Sequence, residues 1–573
     1  MGAKLLRAGW LARPANRVDV ANASRWPNKT RPAGAGLATK SKLSHSLVAS
    51  VLALGLALAG CSPSGSAGHA TLPLEDMSYT LADASNITVS QFDFGEGNLL
   101  NSLGVAVPCP LDGIVAAPEG AGPYPLIVVF HGLRRVQNVY DTVYDGFDYL
   151  VQQLAAEGYV AIAYNVNIEY ESFKFGESDL YDWAYQVYQQ QMALLERANQ
   201  GQESGHGIPL EGKIDFSQVH YLGHSRGGEM ADQLYRYEQA AGLDRIRSII
   251  RVTTATLVID EPYPDVPTGL ILSEFDGDTP EAGQLVYDEI RAETGRTAPA
   301  SVVYLRGGNH AFFNRTFTRD EATSFNNRLT REQQENFLLH YAAAFYAVYA
   351  GGQPPFGIWD STRPQPVTMF GFAVTASSFT PPSPTLLEVS QAGAAQATTS
   401  GGAAVDYLLK TFDDGVFFNH PGGTSNDGEL PLYRLRWSGP DGKARWPVSD
   451  LSGYAALTLY VAVDSSDPAN PPGTSQSFTV SLTDNQSRVN SVLIPHGTSA
   501  LAWHDGKVLT VDNFDLPDLL VWDGFMPLGA LRIPLTLFDA VDLASVSELA
   551  ITFDQTQSGA VMLSGVYLEG RGP

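Results

Sequence analysis

Cysteine is almost absent from this chain of 573 residues, which contains only Cys61 and Cys109. Two cysteines exclude a disulfide framework and a zinc site built from cysteine ligands. Charged residues are also few, at 17% of the sequence, and 61 Asp and Glu outnumber 36 Lys and Arg. The formal net charge is −25, so we expect no nucleic-acid partner, because basic side chains that contact phosphate supply most non-specific affinity for nucleic acid.

The amino-terminal hydrophobic run is short. Residues 47–59 are continuously apolar or small, but a helix that spans a membrane needs about twenty such residues. The run follows a leader that is rich in Lys and Arg, and it has the length of the apolar core of a signal peptide. The sequence therefore predicts an exported protein.

The run ends in Leu58-Ala59-Gly60-Cys61, which resembles the lipobox of bacterial lipoproteins. The resemblance implies that residues 1–60 are a lipoprotein signal peptide and that a lipid on Cys61 anchors the mature chain to a membrane. It also implies a place in the bacterial cell envelope, at the outer membrane or the cell surface. An ordinary secretory signal followed by a chance cysteine is the alternative.

The rest of the chain divides by its residue patterns. Residues 61–75 are small and predict a tether, and the alternation of apolar runs with helical periodicity over residues 76–352 predicts a mostly parallel sheet with helices on both faces. Residues 353–366 are rich in Pro and Gly and predict a linker. Residues 367–573 show short alternating runs separated by turn signals, which predict an all-β sandwich.

The sequence Gly-His-Ser-Arg-Gly-Gly at residues 223–228 carries the strongest chemical signal. It follows a predicted strand and precedes a predicted amphipathic helix, and a tight turn of the G-x-S-x-G type in this context exposes a nucleophilic serine. Ser225 is therefore the candidate nucleophile. A nucleophilic serine also needs donors for the oxyanion, and Phe-His-Gly-Leu at residues 130–133 ends a predicted buried strand. We expect the backbone N–H groups of Leu133 and Arg226 to supply them, with His131 organising the loop.

A general base should follow the nucleophile in the chain. His310 lies in the loop Gly-Gly-Asn-His, directly after a predicted strand, which favours it as the base. His340 is the competitor, but it lies in a helical run. His224 is expected to be a neighbour in the turn that points away from the nucleophile.

The third member of the site should be a carboxylate that orients the base. Asp276 comes first in the loop Asp-Gly-Asp-Thr-Pro after another predicted strand, and it is the preferred candidate. Asp278 is the alternative acid, followed by Glu274 and Asp260. The same residues could also form only a turn and a helix cap.

The order Ser225, Asp276, His310, together with the loop at residues 130–133, resembles the α/β-hydrolase superfamily over about residues 100–350. Within that superfamily the sequence resembles in particular bacterial proteins similar to chlorophyllases, dienelactone hydrolases and polyester-degrading cutinases. The resemblance implies an α/β-hydrolase fold and hydrolysis of carboxylic esters through an acyl-serine intermediate, with no metal and no other cofactor. Polyesters, lipids or acyl amides are alternative substrates, and a non-catalytic surface binding protein on the same scaffold is the alternative function.

Two features bear on the substrate. Several aromatic residues are predicted near the mouth of the site, where they would favour an apolar substrate: Tyr170, Phe173, Phe275, Phe312 and Phe313. The carboxy-terminal region resembles galactose-binding-like jelly-roll modules, and four tryptophans would either contact a glycan or polymer or lie in the sandwich core: Trp437, Trp446, Trp503 and Trp522.

Because all the catalytic candidates precede residue 315, we expect residues 76–360 to hydrolyse a small soluble ester without the tail.

Overall fold

The structure, a computed structural model, describes residues 70–134, 138–172, 181–255, 262–279, 282–318, 327–410, 430–465, 467–504 and 527–570. Within Ser66–Pro573 the chain forms one compact unit. The predicted signal peptide and the lipidation site Cys61 lie outside the described residues, so they stay predictions. None of the helices in the described ranges combines the length and the hydropathy that a membrane crossing requires.

The strands are, in chain order, β1 (Ala70–Thr71), β2 (Glu75–Met77), β3 (Ser90–Leu100), β4 (Ala106–Ala116), β5 (Tyr124–Phe130), β6 (Val160–Tyr164), β7 (Ile214–His224), β8 (Ile246–Val252), β9 (Thr268–Phe275), β10 (Ala300–Asn309), β11 (Pro366–Met369), β12 (Phe372–Phe379), β13 (Thr385–Leu387), β14 (Thr398–Ser400), β15 (Ala403–Lys410), β16 (Leu430–Trp437), β17 (Gly442–Pro447), β18 (Ala456–Val463), β19 (Phe478–Asp484), β20 (Val489–Ile494), β21 (Gly529–Pro534), β22 (Val546–Phe553) and β23 (Gly559–Glu569). The α-helices are α1 (Asp148–Ala156), α2 (Asn167–Ser172), α3 (Asp182–Asn199), α4 (Arg226–Ala240), α5 (Ala282–Ala292), α6 (Arg331–Tyr349) and α7 (Gln391–Gln396).

An eleven-stranded sheet carries the candidate site. Its strand order is β2-β11-β12-β10-β9-β8-β7-β5-β6-β4-β3. The six central strands from β10 to β6 are parallel, and β5 and β6 are apolar and buried along almost their whole length, as strands covered on both faces must be. Side chains of α1 and α6 join one buried cluster on this sheet, and side chains of α3 and α4 join another.

The predicted fold class is wrong. The sequence predicts an α/β-hydrolase fold, with a mostly parallel sheet, helices on both faces and an added jelly-roll-like sandwich. The described part of the chain is mostly β, with 37% of its residues in strands against 24% in helices. The large sheet is mixed, because antiparallel strands flank the parallel ones on both sides. The alternation of strands and helices in the sequence predicts all the central strands except β8, but it carries no signal for the antiparallel neighbours that pair with them.

Two further six-stranded sheets are built mainly from the carboxy-terminal part of the chain. One has the order β1-β20-β19-β22-β17-β14, and the other contains β15-β16-β23-β18-β21 with β13 paired to β23. Their pairings are antiparallel except for the parallel contact of β1 with β20. Side chains of both sheets share one buried cluster, for example Leu459 of β18 and Val480 of β19.

The segment predicted as a linker is part of a core. Within residues 353–366, Ile358 and Trp359 are buried in the cluster that also contains α6 side chains, and the Trp359 indole N–H donates to Ser301 Oγ at 3.2 Å. Beyond the predicted boundary at residue 366, β12 pairs antiparallel with β10. The large sheet therefore includes residues that the sequence interpretation assigned to the β-sandwich.

The carboxy-terminal sheets also share buried polar contacts with the segment that follows α6. Arg532 and Glu569 form an ion pair of 3.1 Å with both side chains fully buried, and Arg532 also donates to the carbonyl oxygens of Ile358 and Asp360. Removing one partner of such a pair leaves a buried charge, which typically costs about 3–5 kcal/mol. The two parts of the chain are therefore joined by interactions that are costly to break.

These contacts predict that residues 76–360 do not fold alone, in contrast to the expectation from the sequence. Ending the chain at residue 360 removes β12 from the edge of β10 and removes Phe379, Tyr460 and Ala530 from the cluster that covers Tyr287 of α5. We expect this fragment to be insoluble or to lack a cooperative thermal transition, whereas residues 70–573, the control, should show one. A soluble fragment that unfolds cooperatively at the control's Tm would contradict this prediction.

Candidate active site

Ser225 lies at the turn between β7 and α4, with φ 55° and ψ −124°. A positive φ is unfavourable for a serine and costs about 1–3 kcal/mol, so the surrounding structure must hold it. The Ser225 N–H donates to the carbonyl of Val252 at 2.9 Å, and the Ser225 carbonyl accepts from the N–H groups of Gly228 and Ala255 at 3.0 and 3.1 Å. Contacts with the neighbouring strand end therefore fix the strained turn.

Glycines allow the strand and the helix on either side of Ser225 to approach. A Cβ on Gly223 would lie 2.1 Å from the carbonyl oxygen of Gly227, and a Cβ on Gly227 would lie 2.3 Å from that of Phe130. Any larger residue at these two positions would force the backbone apart. The motif recognised in the sequence is thus required by the packing of this turn.

The loop after β5 passes directly beside Ser225. A Cβ on Gly132 would lie 2.7 Å from Ser225 Cβ and 3.3 Å from Ser225 Oγ. The next residue, Leu133, is 38% exposed. The structure thus brings the predicted oxyanion loop to the predicted nucleophile, and Arg226 is the first residue of α4, where N–H groups have no acceptor within the helix.

His131 holds this loop in place. It is fully buried, its Nδ1–H donates to the carbonyl of Gly132 at 3.0 Å, and its Nε2 accepts from the N–H of Val166 at 3.2 Å. Burial lowers the pKa of His131 to about 4, so the ring is neutral at pH 7. The Tyr170 hydroxyl donates to the His131 carbonyl at 2.8 Å, which adds a further constraint.

His310 and Asp276 face each other at the ends of neighbouring parallel strands. His310 follows β10 and Asp276 follows β9, and the distance from His310 Nδ1 to Asp276 Oδ2 is 3.1 Å. Both side chains are buried. A carboxylate that accepts from Nδ1–H leaves Nε2 of the imidazole as the basic nitrogen, which is the form a general base requires.

The loop after β9 supplies further donors to Asp276. Its Oδ1 accepts from the N–H groups of Asp278 and Thr279 at 2.9 and 2.8 Å. Burial acts to raise the pKa of Asp276, but the charge and hydrogen bond of His310 and these two N–H groups outweigh it and hold the pKa below its usual value. Asp276 is therefore a carboxylate at neutral pH.

Asp278 occupies a different position from Asp276. Its Oδ2 lies 3.7 Å from Nε2 of His310, and its side chain is 41% exposed. It lies on the opposite side of the imidazole from the nitrogen that contacts Asp276. Thr279 Oγ is 3.3 Å from His310 Nδ1 and donates to the carbonyl of Thr253 at 2.8 Å. The alternative acid therefore does not contact the nitrogen that orients the ring.

His224 has a contact that the sequence interpretation missed. Its Nε2–H donates to the carbonyl of His310 at 2.9 Å, and the two rings are 5.1 Å apart between centroids. Burial lowers the pKa of His224 to about 3, so this ring is also neutral. Because His224 immediately precedes Ser225, the contact links the nucleophile's turn to the backbone of the candidate base. The histidine within the turn motif is the only sequence signal for it.

Buried acids beside the turn were also missed. The Tyr181 hydroxyl donates to Glu229 Oε2 of α4 at 2.7 Å, and Glu169 of α2 accepts from the N–H groups of Tyr181 and Ala184 at 3.1 and 3.0 Å. These bonds fix the start of α3 against the helix that follows Ser225. Isolated glutamates in helical segments give no sequence signal that would distinguish them from surface residues.

A search against known protein families finds no match, and no curated protein matches the chain.

The aromatic residues predicted at the mouth have different environments. Tyr170, Phe275 and Phe313 are buried, and Phe313 belongs to the core under α6. Phe312 is half-buried beneath the guanidinium of Arg331, 4.5 Å from its ring centroid. Phe173 lies outside the described residues. Phe313 therefore supports the core and does not form an exposed wall.

The tryptophans of the carboxy-terminal part lie mainly in its core. Trp437 and Trp446 are buried, and Trp437 stacks on Phe553 with ring centroids 4.2 Å apart. Trp503 is half-buried against the same cluster, and Trp522 falls outside the described part of the chain. The described tryptophans therefore offer no flat exposed platform for a glycan or polymer.

Proposed function

We propose that the protein is a serine hydrolase that cleaves carboxylic esters through an acyl-serine intermediate, with Ser225 as nucleophile, His310 as base and Asp276 as the orienting acid. The observation that carries the proposal is the meeting of four loops at one sheet edge, those after β5, β7, β9 and β10. These loops carry a strained serine, a glycine on which an added Cβ would lie 2.7 Å from Ser225 Cβ, and a histidine paired with a buried carboxylate. The strand ends that hold them are far apart in the sequence. Such a combination of strain and preorganised donors is typical of a covalent catalytic site.

In the proposed reaction, Ser225 Oγ bonds to the ester carbonyl carbon while His310 Nε2 takes the serine proton. The electron pair of the carbonyl moves to oxygen, and the N–H groups of Leu133 and Arg226 stabilise that oxyanion. The alcohol leaves with the proton from His310, and an acyl group remains on Ser225. Water then repeats the sequence, with His310 again as base, and releases the carboxylic acid.

The buried surroundings support these roles. Asp276 remains charged beside His310, which stabilises the imidazolium that forms when the base takes the serine proton. The neutral rings of His131 and His224 hold the loop and the base without adding charge that would disfavour the imidazolium.

A fluorophosphonate probe tests the nucleophile directly, because it reacts with an activated serine and not with ordinary hydroxyl groups. We expect the folded protein to be labelled once, on the peptide that contains Ser225, and the heat-denatured protein to remain unlabelled. Hydrolysis of p-nitrophenyl acetate should accompany labelling. A folded protein that neither reacts with the probe nor hydrolyses the ester would favour the non-catalytic binding function.

A further inference from the structure

Exposed apolar side chains are concentrated near one edge of the large sheet. Among the described residues, the exposed large hydrophobic side chains on the β3–β4 hairpin tip are Leu100, Leu103 and Val105, which are 56%, 84% and 56% exposed. Leu133 and Tyr140, in the segment after β5, add two more at 38% and 60%. Only three others occur in the described parts of the chain: Leu74, Leu243 and Val489.

The hairpin tip, residues 100–106, projects from the edge that carries Ser225. β4 runs antiparallel to β6, and Gly113 pairs with Tyr164 at the carboxyl end of β6. The residues of β4 before Gly113 therefore extend beyond that edge, and at about 3.3 Å per residue Ala106 lies roughly 20 Å past it. Because β6 and β7 are both parallel to β5, Ser225 after β7 lies at the same edge.

Hydrogen bonds brace the hairpin in this position. Gln186 of α3 accepts from the N–H of Leu100 at 2.7 Å and donates to its carbonyl at 2.9 Å. Gln190 donates to the carbonyl of Asn98 at 3.0 Å, and the Tyr140 hydroxyl donates to Glu96 at 2.8 Å. The tip thus presents its apolar side chains to solvent from a supported backbone.

The absence of charge around the hairpin tip indicates the kind of partner that it can contact. No charged residue occurs between Gly97 and Leu111, although the chain as a whole has a formal net charge of −25. A surface without charge on a strongly acidic protein fits an apolar partner that is itself neutral, since an anionic partner would be repelled by the rest of the chain.

We propose that the hairpin tip docks on the surface of an undissolved neutral ester and brings that surface to the active site. The proposal rests on the proposed ester hydrolase function, and it assigns the substrate to the class of aggregated apolar esters. Leu100, Leu103 and Val105 enter the apolar phase, while the braced backbone keeps the tip on the side of the molecule from which Ser225 is reached.

The experiment compares adsorption with turnover, using the full chain. Protein is mixed with emulsified triolein droplets, the droplets are separated by flotation, and the bound fraction is measured. We expect Leu103→Ser to weaken adsorption about tenfold, the effect of losing one buried leucine side chain. Leu103→Ser/Val105→Ser should weaken it further, and hydrolysis of dissolved p-nitrophenyl acetate should be unchanged in both variants.

Leu243→Ser is the matched control. Leu243 is a leucine exposed to 41%, and it lies after the carboxyl end of α4 and before β8, at the opposite edge of the large sheet. The Leu243→Ser variant should adsorb to triolein droplets as strongly as the unsubstituted protein. Equal adsorption of Leu103→Ser and Leu243→Ser would overturn the proposal, and so would an equal loss of p-nitrophenyl acetate hydrolysis in Leu103→Ser.

Other occupants give different results. Leu103-dependent binding to phosphatidylcholine vesicles that exceeds binding to triolein would assign the hairpin tip to a membrane and overturn the proposal. Leu103-dependent dimerisation in sedimentation velocity would assign it to a second copy, with the same consequence. If the protein adsorbs through Leu103 but hydrolyses neither ester, the proposed function fails while the docking surface stands.

Discussion

Replacing Ser225 by alanine is expected to lower kcat for p-nitrophenyl acetate by about 10⁶-fold, and His310→Ala should cost about as much. The two residues act as one unit, because a serine without its base is a weak nucleophile and a base without its serine has no proton to take. The double variant should therefore be no slower than either single variant within about tenfold. The measurement is steady-state kinetics at saturating ester, with circular dichroism to verify the fold.

His340→Ala is the control for His310. His340 lies in α6, and its Nδ1–H donates to the carbonyl of Asn336 in the preceding turn at 2.8 Å. His340 is half-buried with its ring stacked on Phe370, and its loss should leave kcat within about twofold because it removes no group of the proposed reaction. Additive losses in the double variant Ser225→Ala/His310→Ala would show that the two side chains act independently, which the proposed mechanism does not allow.

The candidate site was more accessible to sequence reasoning than the fold. Ser225, Asp276 and His310 each lie in a short motif directly after an apolar strand, and parallel strands bring their carboxyl ends to one edge. A local pattern is sufficient to predict that the three side chains lie at one edge, because each motif marks the carboxyl end of its own strand.

The fold depends on pairings between distant segments, and these leave no local signal. The segment at residues 372–379 lies in the region predicted to be a sandwich, yet as β12 it pairs with β10, which lies about seventy residues earlier. The Pro and Gly residues around Ile358 suggested a linker, but the apolar side chains between them pack into the core. The contact between His224 and the His310 carbonyl depends in the same way on tertiary position and could not be deduced from either motif.

Substitution of Asp276 is the second change that we expect to lower kcat strongly, and it decides between Asp276 and Asp278 as the orienting acid. Asp276→Asn is expected to lower kcat by about 10⁴-fold while the protein remains folded. In the structure, Asp276 Oδ1 accepts from two backbone N–H groups and Oδ2 faces His310 Nδ1. An asparagine must direct its carbonyl oxygen to those two donors, so its NH₂ group faces the histidine.

That NH₂ group donates to Nδ1, and the imidazole is then held with its proton on Nε2. A ring in this tautomer cannot accept the proton of Ser225, and no carboxylate remains to stabilise the imidazolium. Asp278→Asn is the matched control: it makes the same chemical change two residues away, on a side chain that is 41% exposed and does not contact Nδ1. It should retain kcat within about tenfold. If Asp278→Asn loses activity and Asp276→Asn keeps it, with both proteins folded, Asp278 is the orienting acid and the geometry at Nδ1 does not govern catalysis.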